Sequence, residues 1–317
     1  MPRSLFPKRL HGIMDQYTSL RYLGWFLESL PLALLWLIAS LLPVRVASAL
    51  GASLLGLIGP HTHKNKHVLA NLRTCFPDAD HVTLDRIART MWRNLGAVFT
   101  EYPHLKRILN SRVELQIDPQ AQTVLKSGKP LLVMAPHLAN WELIAEFLAY
   151  RNIPLTVVYK RQDNPFIESM IQHFRRADDS FYVGNEDALK AMMQATRKGR
   201  SLGLLPDQRV DSGLMLPLFG ENAATTISPV RIAQRAGYAL VPFHVERLPG
   251  CRFRLIVSAP LSIGTDVAET EQVSKDSAID IMLQFNKLLE CWIHERPGEW
   301  LCTKRRWPKK AFLRNPG

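Results

Sequence analysis

The sequence is poor in the features that would announce a simple chemistry. It holds four cysteines in 317 residues, Cys75, Cys251, Cys291 and Cys302, and no two share a CxxC or CxxH spacing. That spacing argues against a zinc site and against a disulfide framework, and leaves four reduced thiols facing a reducing compartment. No Gly-x-Ser-x-Gly elbow is present, so no serine is set up as an activated nucleophile at a strand-to-helix turn. There is no helix-turn-helix, zinc or RNP signature, and the basic residues are dispersed except near the C-terminus. Charge alone therefore argues for a nucleic-acid partner. Internal repeats and low-complexity tracts are missing. So is an uncharged apolar run of the roughly twenty residues that span a bilayer. The hydrophobic fraction of 47% is that of a globular protein, not of a polytopic membrane protein.

What is there starts with charge. The formal net charge is +12, which suggests an anionic partner such as a nucleic acid, an acidic membrane surface or an acidic carrier. The length suits one large domain or two small ones. The N-terminus is basic, with Arg3, Lys8, Arg9 and Arg21. A mostly apolar run follows at 30–44, is interrupted by Arg45, and resumes at 46–58. Counted from Tyr22 the first run is long enough to span, but only with Glu28 inside it. Two readings stay open: a marginal transmembrane or interfacial anchor, or a buried helical hairpin capping a soluble domain. Ala47-Ser48-Ala49 has the form of a cleavage site but lies too far from the N-terminus for an ordinary signal peptide.

Residues 61–126 read as helical. His61, His63 and His67 invite a metal reading, but no acid or cysteine stands at matching spacing, so a solvated polar helix start is preferred. Trp92, Leu95, Val98 and Phe99 form an amphipathic stripe suited to a core.

The centre of the sequence is 131–142, LLVMAPHLANWE. The apolar run 131–134, closed by Ala135 and Pro136, reads as a buried strand of a parallel sheet. Helical spacing follows at Leu143, Phe147 and Tyr150, with Asn140 as candidate N-cap. His137 then lies in the turn at the strand's carboxyl end, where open α/β sheets place their chemistry. On one continuous helix His137 and Glu142 would point about 140° apart. With His137 in the turn and Glu142 in the first helical turn they can meet. A carboxylate on one ring nitrogen would leave the other to take a proton from a hydroxyl. The alternative is a junction histidine with a first-turn acid favoured by the helix dipole.

Further strands are read at 153–159, 202–205, 239–245 and 253–257, and helices at 189–198, 229–235 and 277–294. His244 lies within a strand, where a structural role is preferred. The pattern predicts an α/β fold with a central, mostly parallel sheet flanked by helices.

Several motifs together resemble the bacterial lipid A biosynthesis acyltransferases, within the wider glycerolipid acyltransferase superfamily. They are His-x-x-x-x-Glu at 137–142, NLRTCFPD at 71–78, Arg161 with Asn164-Pro165, Asp207-Gln208, LPLFG at 216–220 with AATT at 223–226, and RPGEWLCTKRRW at 296–307. The resemblance runs from about residue 18 to about residue 310. It implies transfer of a fatty acyl chain from acyl carrier protein to a hydroxyl of a lipid A precursor, at the cytoplasmic face of the inner membrane, with no metal and no cofactor. It implies His137 as general base with Glu142 orienting it, and backbone amides after His137 helping an oxyanion. Arg161, Asn164, Arg175 and Arg176 become candidates for substrate phosphate, where a guanidinium fork suits the ligand. Asp207, Gln208 and Thr225 become candidates for the acceptor site. Residues 1–60 would then be a basic N-terminus with hydrophobic anchoring helices, and 61–317 the catalytic domain. The sequence departs from the family's pattern at Arg209, where an acid is frequent and Asp211 comes only later, and at Cys302 and Lys304. The basic, aromatic tail would suit an anionic headgroup surface. The same chemistry on another glycolipid or an ornithine-type lipid remains an alternative, as does a non-catalytic membrane scaffold.

Overall fold

The run Leu131–Met134 (β2) forms a strand buried on both faces in the middle of a seven-stranded sheet. The structure is a computed structural model and describes residues 18–159, 161–175, 180–184, 188–262 and 275–308. Strand order is β1-β9-β8-β2-β5-β3-β4, with β1 Val113–Ile117, β3 Leu155–Tyr159, β4 Ser180–Gly184, β5 Ser201–Leu204, β8 Ala239–Leu248 and β9 Arg252–Val257. The five strands from β8 to β4 run parallel. β9 runs antiparallel to β8, and β1 pairs parallel with β9. The expected α/β fold with a mostly parallel, helix-flanked sheet is therefore present.

Side chains alternate across a strand, and β2 shows what that does here. Leu132 and Met134 enter one core with Phe285, Leu289 and Trp292 of the helix Lys275–Glu295. Leu131 and Val133 enter the other with Leu143 and Phe147 of the helix Glu142–Tyr150. Two apolar layers, one on each face, explain why the strand reads as a continuous hydrophobic run rather than an alternating one.

Three local readings are corrected. The stretch 61–126 is helical at Asn65–Cys75, His81–Glu101, Leu105–Arg112 and Pro119–Lys126, but it also contains β1, whose polar Glu114 and Gln116 masked a half-buried edge strand. The LPLFG and AATT motifs at 216–226, expected to form a substrate-holding loop, lie instead mostly in a hairpin of β6 Leu214–Leu218 and β7 Glu221–Thr225. Its turn residues Phe219 and Gly220 both take positive φ, 53° and 71°, the conformation of a hairpin turn that twists with its strands. Asn140 is not the helix cap. Trp141 occupies that position without a capping bond, and the Asn140 side chain donates to Glu101 Oε2 at 2.8 Å.

The N-terminal helices α1 (Thr18–Leu41) and α2 (Val44–Ile58) combine both readings of the apolar runs. α2 lies against His81–Glu101 so closely that a Cβ on Gly51 would sit 2.1 Å from the Gly96 carbonyl oxygen. α1 is tied down by Trp36, whose indole nitrogen donates to the Phe99 carbonyl at 2.6 Å, and by Asn164, whose amide donates to the Trp25 carbonyl at 2.7 Å. Glu28 turns toward the protein, where it meets Asn164. The opposite face exposes Leu20, Leu23, Leu27, Leu30, Leu34, Leu37 and Leu41. Their spacing of three and four residues makes one outward apolar stripe. The 23 residues Ser19–Leu41 are long and apolar enough to cross a membrane.

Candidate active site

Strand register builds the site. β2 and β5 are parallel neighbours with Met134 opposite Leu204. Residues at equal offsets past a parallel pair emerge side by side, so His137 and Asp207, each three residues on, meet at the carboxyl end of the sheet. His137 Nδ1 is 2.7 Å from Asp207 Oδ1, and the His137 backbone amide donates to Oδ2 at 3.1 Å. Trp300 Nε1 also donates to Oδ2, at 3.0 Å. Asp207 is buried. Burial alone would raise its carboxyl, but the electrostatic pull of the adjacent His137, which can take up a charge, and the bonds from His137 and Trp300 outweigh this and hold it below the usual carboxylate range. The other ring nitrogen, Nε2, lies 3.3 Å from Gln208 Nε2. The His137 side chain is 18% exposed against none for Asp207, so the ring joins a sealed carboxylate to the open side. A partly exposed histidine oriented by a buried acid can accept a proton from a hydroxyl at its second nitrogen.

The turn carrying His137 is held from outside the sheet. Ala139 takes φ 47°, left-handed backbone that costs a non-glycine residue of order 1–3 kcal/mol. Its amide donates to the Glu299 carbonyl at 3.1 Å, and its carbonyl accepts from Asn94 Nδ2 at 3.1 Å. The Leu301 amide donates to the His137 carbonyl at 2.9 Å. Beneath lies Glu101, fully buried, which takes both terminal nitrogens of Arg247 and the side chains of Ser48 and Asn140. Burial would raise its carboxyl, and Arg247 with these bonds holds it low instead.

The expected pairing of His137 with Glu142 is not what the structure has. Glu142 is buried behind the ring and accepts from Arg175 Nη2 and Nε at 2.5 and 3.0 Å, from Tyr102 Oη at 2.7 Å and from Trp141 Nε1 at 3.0 Å. Burial would raise this carboxyl, and Arg175 with the Tyr102 and Trp141 donors keeps it low. Among the described residues Trp141 links the two, donating to Glu142 while its ring lies 5.1 Å from the imidazole.

Other candidates fall in different places. Arg175 is consumed by Glu142 and lies over Tyr159. Asn164 is buried and caps the helix Pro165–Phe174 while holding α1. Arg161 is exposed on the loop after β3. Arg176 lies outside the described residues. Thr225 is fully buried, donating to Ala223 and accepting from Arg306 Nη2 at 2.7 Å, so it braces the tail rather than facing His137. Gln208 stays beside the ring and accepts from Lys304 Nζ at 3.1 Å. The backbone amides of Leu138, Ala139, Leu143 and Ile144 already donate to carbonyls, so these do not supply the expected oxyanion donors.

The tail is also not a loose basic surface. Trp300, Arg306 and Trp307 are buried. Asn71, in the NLRTCFPD stretch, donates to the Cys302 and Lys304 carbonyls and accepts from the Arg306 amide. Asn71, Asn94, Glu101, Tyr102 and Trp300 were missed by sequence reasoning. Polar residues on otherwise apolar helix faces, such as Asn94 and Glu101 beside Val98, were the signal available.

Fold and site together define an α/β protein with a histidine–aspartate centre at the carboxyl end of a parallel sheet, bordered by an apolar N-terminal helix pair. The chain belongs to the bacterial lipid A biosynthesis acyltransferase family, whose model matches residues 13–309. It is similar to the phosphatidylinositol mannoside acyltransferase of Mycobacterium tuberculosis (strain ATCC 25618 / H37Rv), 24% identical over 47% of this chain and 51% of the relative. The corresponding protein of strain CDC 1551 / Oshkosh is 26% identical over 38% of this chain and 40% of that one. The match thus spans about half the length of these curated relatives or less. The crystal structure of the 1-acyl-sn-glycerophosphate (LPA) acyltransferase PlsC from Thermotoga maritima aligns over 76% of this chain and 100% of that chain, at 11% identity and a TM-score of 0.35.

Proposed function

We propose that this protein is an O-acyltransferase that moves a fatty acyl chain from acyl carrier protein to a hydroxyl of a lipid A precursor. The observation that carries the reading is His137, held by the sealed Asp207 through Nδ1 while its own ring stays partly exposed. In this reaction Nε2 takes the proton of the acceptor hydroxyl as its oxygen attacks the thioester carbonyl carbon. The tetrahedral intermediate collapses, the carbon–sulfur bond breaks, and the proton passes from His137 to the leaving thiolate. Asp207, not Glu142, orients the ring and stabilises the imidazolium formed on the way. Glu142 and Arg175 brace Trp141 beside it.

Family membership supports the acyl-transfer class. The net charge of +12 suits an acidic carrier and an anionic acceptor. The outward stripe of α1 supports attachment to a membrane, which in this proposal is the inner membrane with the site on its cytoplasmic side. Arg161, exposed on the loop after β3, is our candidate among the described residues for a substrate phosphate. The relatives' names favour one second reading, the same chemistry on a different glycolipid acceptor.

The test is to incubate purified wild type and His137→Ala in detergent with a lipid A precursor and a panel of acyl-carrier thioesters, reading lipid mass. A gain of one acyl chain in wild type, largely lost in the variant, is expected. Thioester consumed with the lipid unchanged points to the second acceptor. If no donor is consumed, the acyl-transfer reading is wrong.

A further inference from the structure

The base nitrogen of His137 has a neighbour that acyl transfer alone does not explain. Gln208 Nε2 is 3.3 Å from His137 Nε2, and Gln208 Oε1 is 3.1 Å from Lys304 Nζ. An ammonium can only donate, so the carbonyl end of this amide must face Lys304 and the amino end must face the ring. An amide NH2 can also only donate, so His137 Nε2 must accept. On the far side of the ring an ionised carboxylate can only accept, so Nδ1 must carry the proton. Four residues in series, Lys304, Gln208, His137 and Asp207, thus admit one self-consistent set of donors and acceptors.

We propose that Lys304 and Gln208 are positioning residues for the base: they hold the resting His137 ring with its proton on Nδ1 and Nε2 bare. This rests on the reading of His137 as the base. It also gives the tail a place in the chemistry, because Lys304 comes from the segment after the last helix and Gln208 from the loop after β5. The acceptor hydroxyl competes for the same Nε2 lone pair, so the Gln208 amide yields on substrate binding while Lys304 keeps its carbonyl. Among the described residues, the charged and titratable groups beside this series are the Arg209–Asp211 ion pair, Cys302 and Arg306, with Glu142 behind Trp141.

The test uses the full chain in detergent, labelled with 15N-histidine, at one fixed neutral pH. Side-chain nitrogen shifts distinguish the two neutral tautomers and the imidazolium, and His137→Ala identifies the His137 signals. The wild type is expected to show the Nδ1–H form. Gln208→Glu keeps size and shape but replaces the donor by an acceptor. It is expected to move His137 to a form protonated on Nε2, and to cut activity by about tenfold or more beyond Gln208→Leu. Lys304→Met, which frees the amide to turn, is expected to give a mixture of forms. A wild-type Nε2–H signal, a Gln208→Glu spectrum like wild type, or Gln208→Glu more active than Gln208→Leu would each overturn the proposal. The spectra need no substrate, so a failure to transfer acyl chains and a failure of this lock are read separately.

Discussion

Two buried carboxylates, one bonded to each member of the His137–Trp141 ring pair, are built from the same parts. Each has a cationic or ionisable partner and an indole donor: His137 and Trp300 for Asp207, Arg175 and Trp141 for Glu142. They differ in what their partner can still do. Arg175 meets Glu142 with a two-pronged bond, stays charged and ends the arrangement inside the protein. His137 uses one nitrogen on Asp207 and keeps a second, beside Gln208, on a ring that is partly exposed. The comparison teaches that burial and a depressed carboxyl do not mark the chemical centre by themselves. A site for proton transfer needs a partner with a valence left over.

The largest expected effect falls on the open centre. His137→Ala should lower kcat by about 10²–10⁴-fold, the usual worth of a positioned base. Asp207→Asn should lose a comparable factor by upsetting the ring's tautomer, with kcat falling more than KM rises. Assays of acyl transfer check both. Next comes the closed centre. Glu142→Ala leaves Arg175 inside without its counter-charge and should cost about 3–5 kcal/mol of stability, read as a fall in Tm. Glu142→Gln should lower Tm while keeping most activity per folded molecule. If it instead removes activity at unchanged Tm, the distinction between the two centres fails and the acid acts on His137 after all. A smaller effect sharpens the pairing. The double variant Glu142→Leu with Arg175→Met should be more stable than the sum of the single changes by about 0.5–3 kcal/mol, measured by denaturant titration.

The smallest and most gradual effect is with pH. Asp207, Glu142 and Glu101 all have carboxyls held below their ordinary values in the folded protein. A group depressed in this way stabilises the fold fully above its unfolded value, near 4 for these acids. That stability is lost as pH falls through the lower folded value. These three acids should therefore contribute evenly from neutrality down to about pH 5 and lose their contribution steeply below about pH 4, on top of a gentler decline below about pH 6.5 from His244, which burial holds down to about 4 so that it charges only on unfolding. A fold unchanged at pH 3 would show that the two centres are not ionised.

The framework was legible where the signal is local. The run 131–134 reads as a buried strand because both its faces are apolar, and the helices after it show their period. β1 and the 214–225 hairpin were not legible. β1 is half-exposed at an edge, with Glu114 meeting Arg252 and Arg254 across the pair. The hairpin hides behind Pro217 and alanines, and only pairing reveals it. At the site, His137 was legible from its place after a strand. Its acid was not, because Glu142 is the neighbour in sequence and Asp207 the neighbour in space. Thr225 and Asn164 looked like ligand groups because hydroxyls and amides in loops often are. Here both are spent on holding the chain together.

The sequence by itself therefore determined the elements with a strong period, the position of the histidine at a strand end and the apolar N-terminal helices, since each depends on residues a few places apart. The tertiary structure alone decided which acid orients that histidine, which face of α1 is left bare and that the tail closes over the site. Each of those depends on the register between strands and helices far apart in the chain. A shift of one residue between β2 and β5 would take Asp207 away from His137 without altering any local pattern.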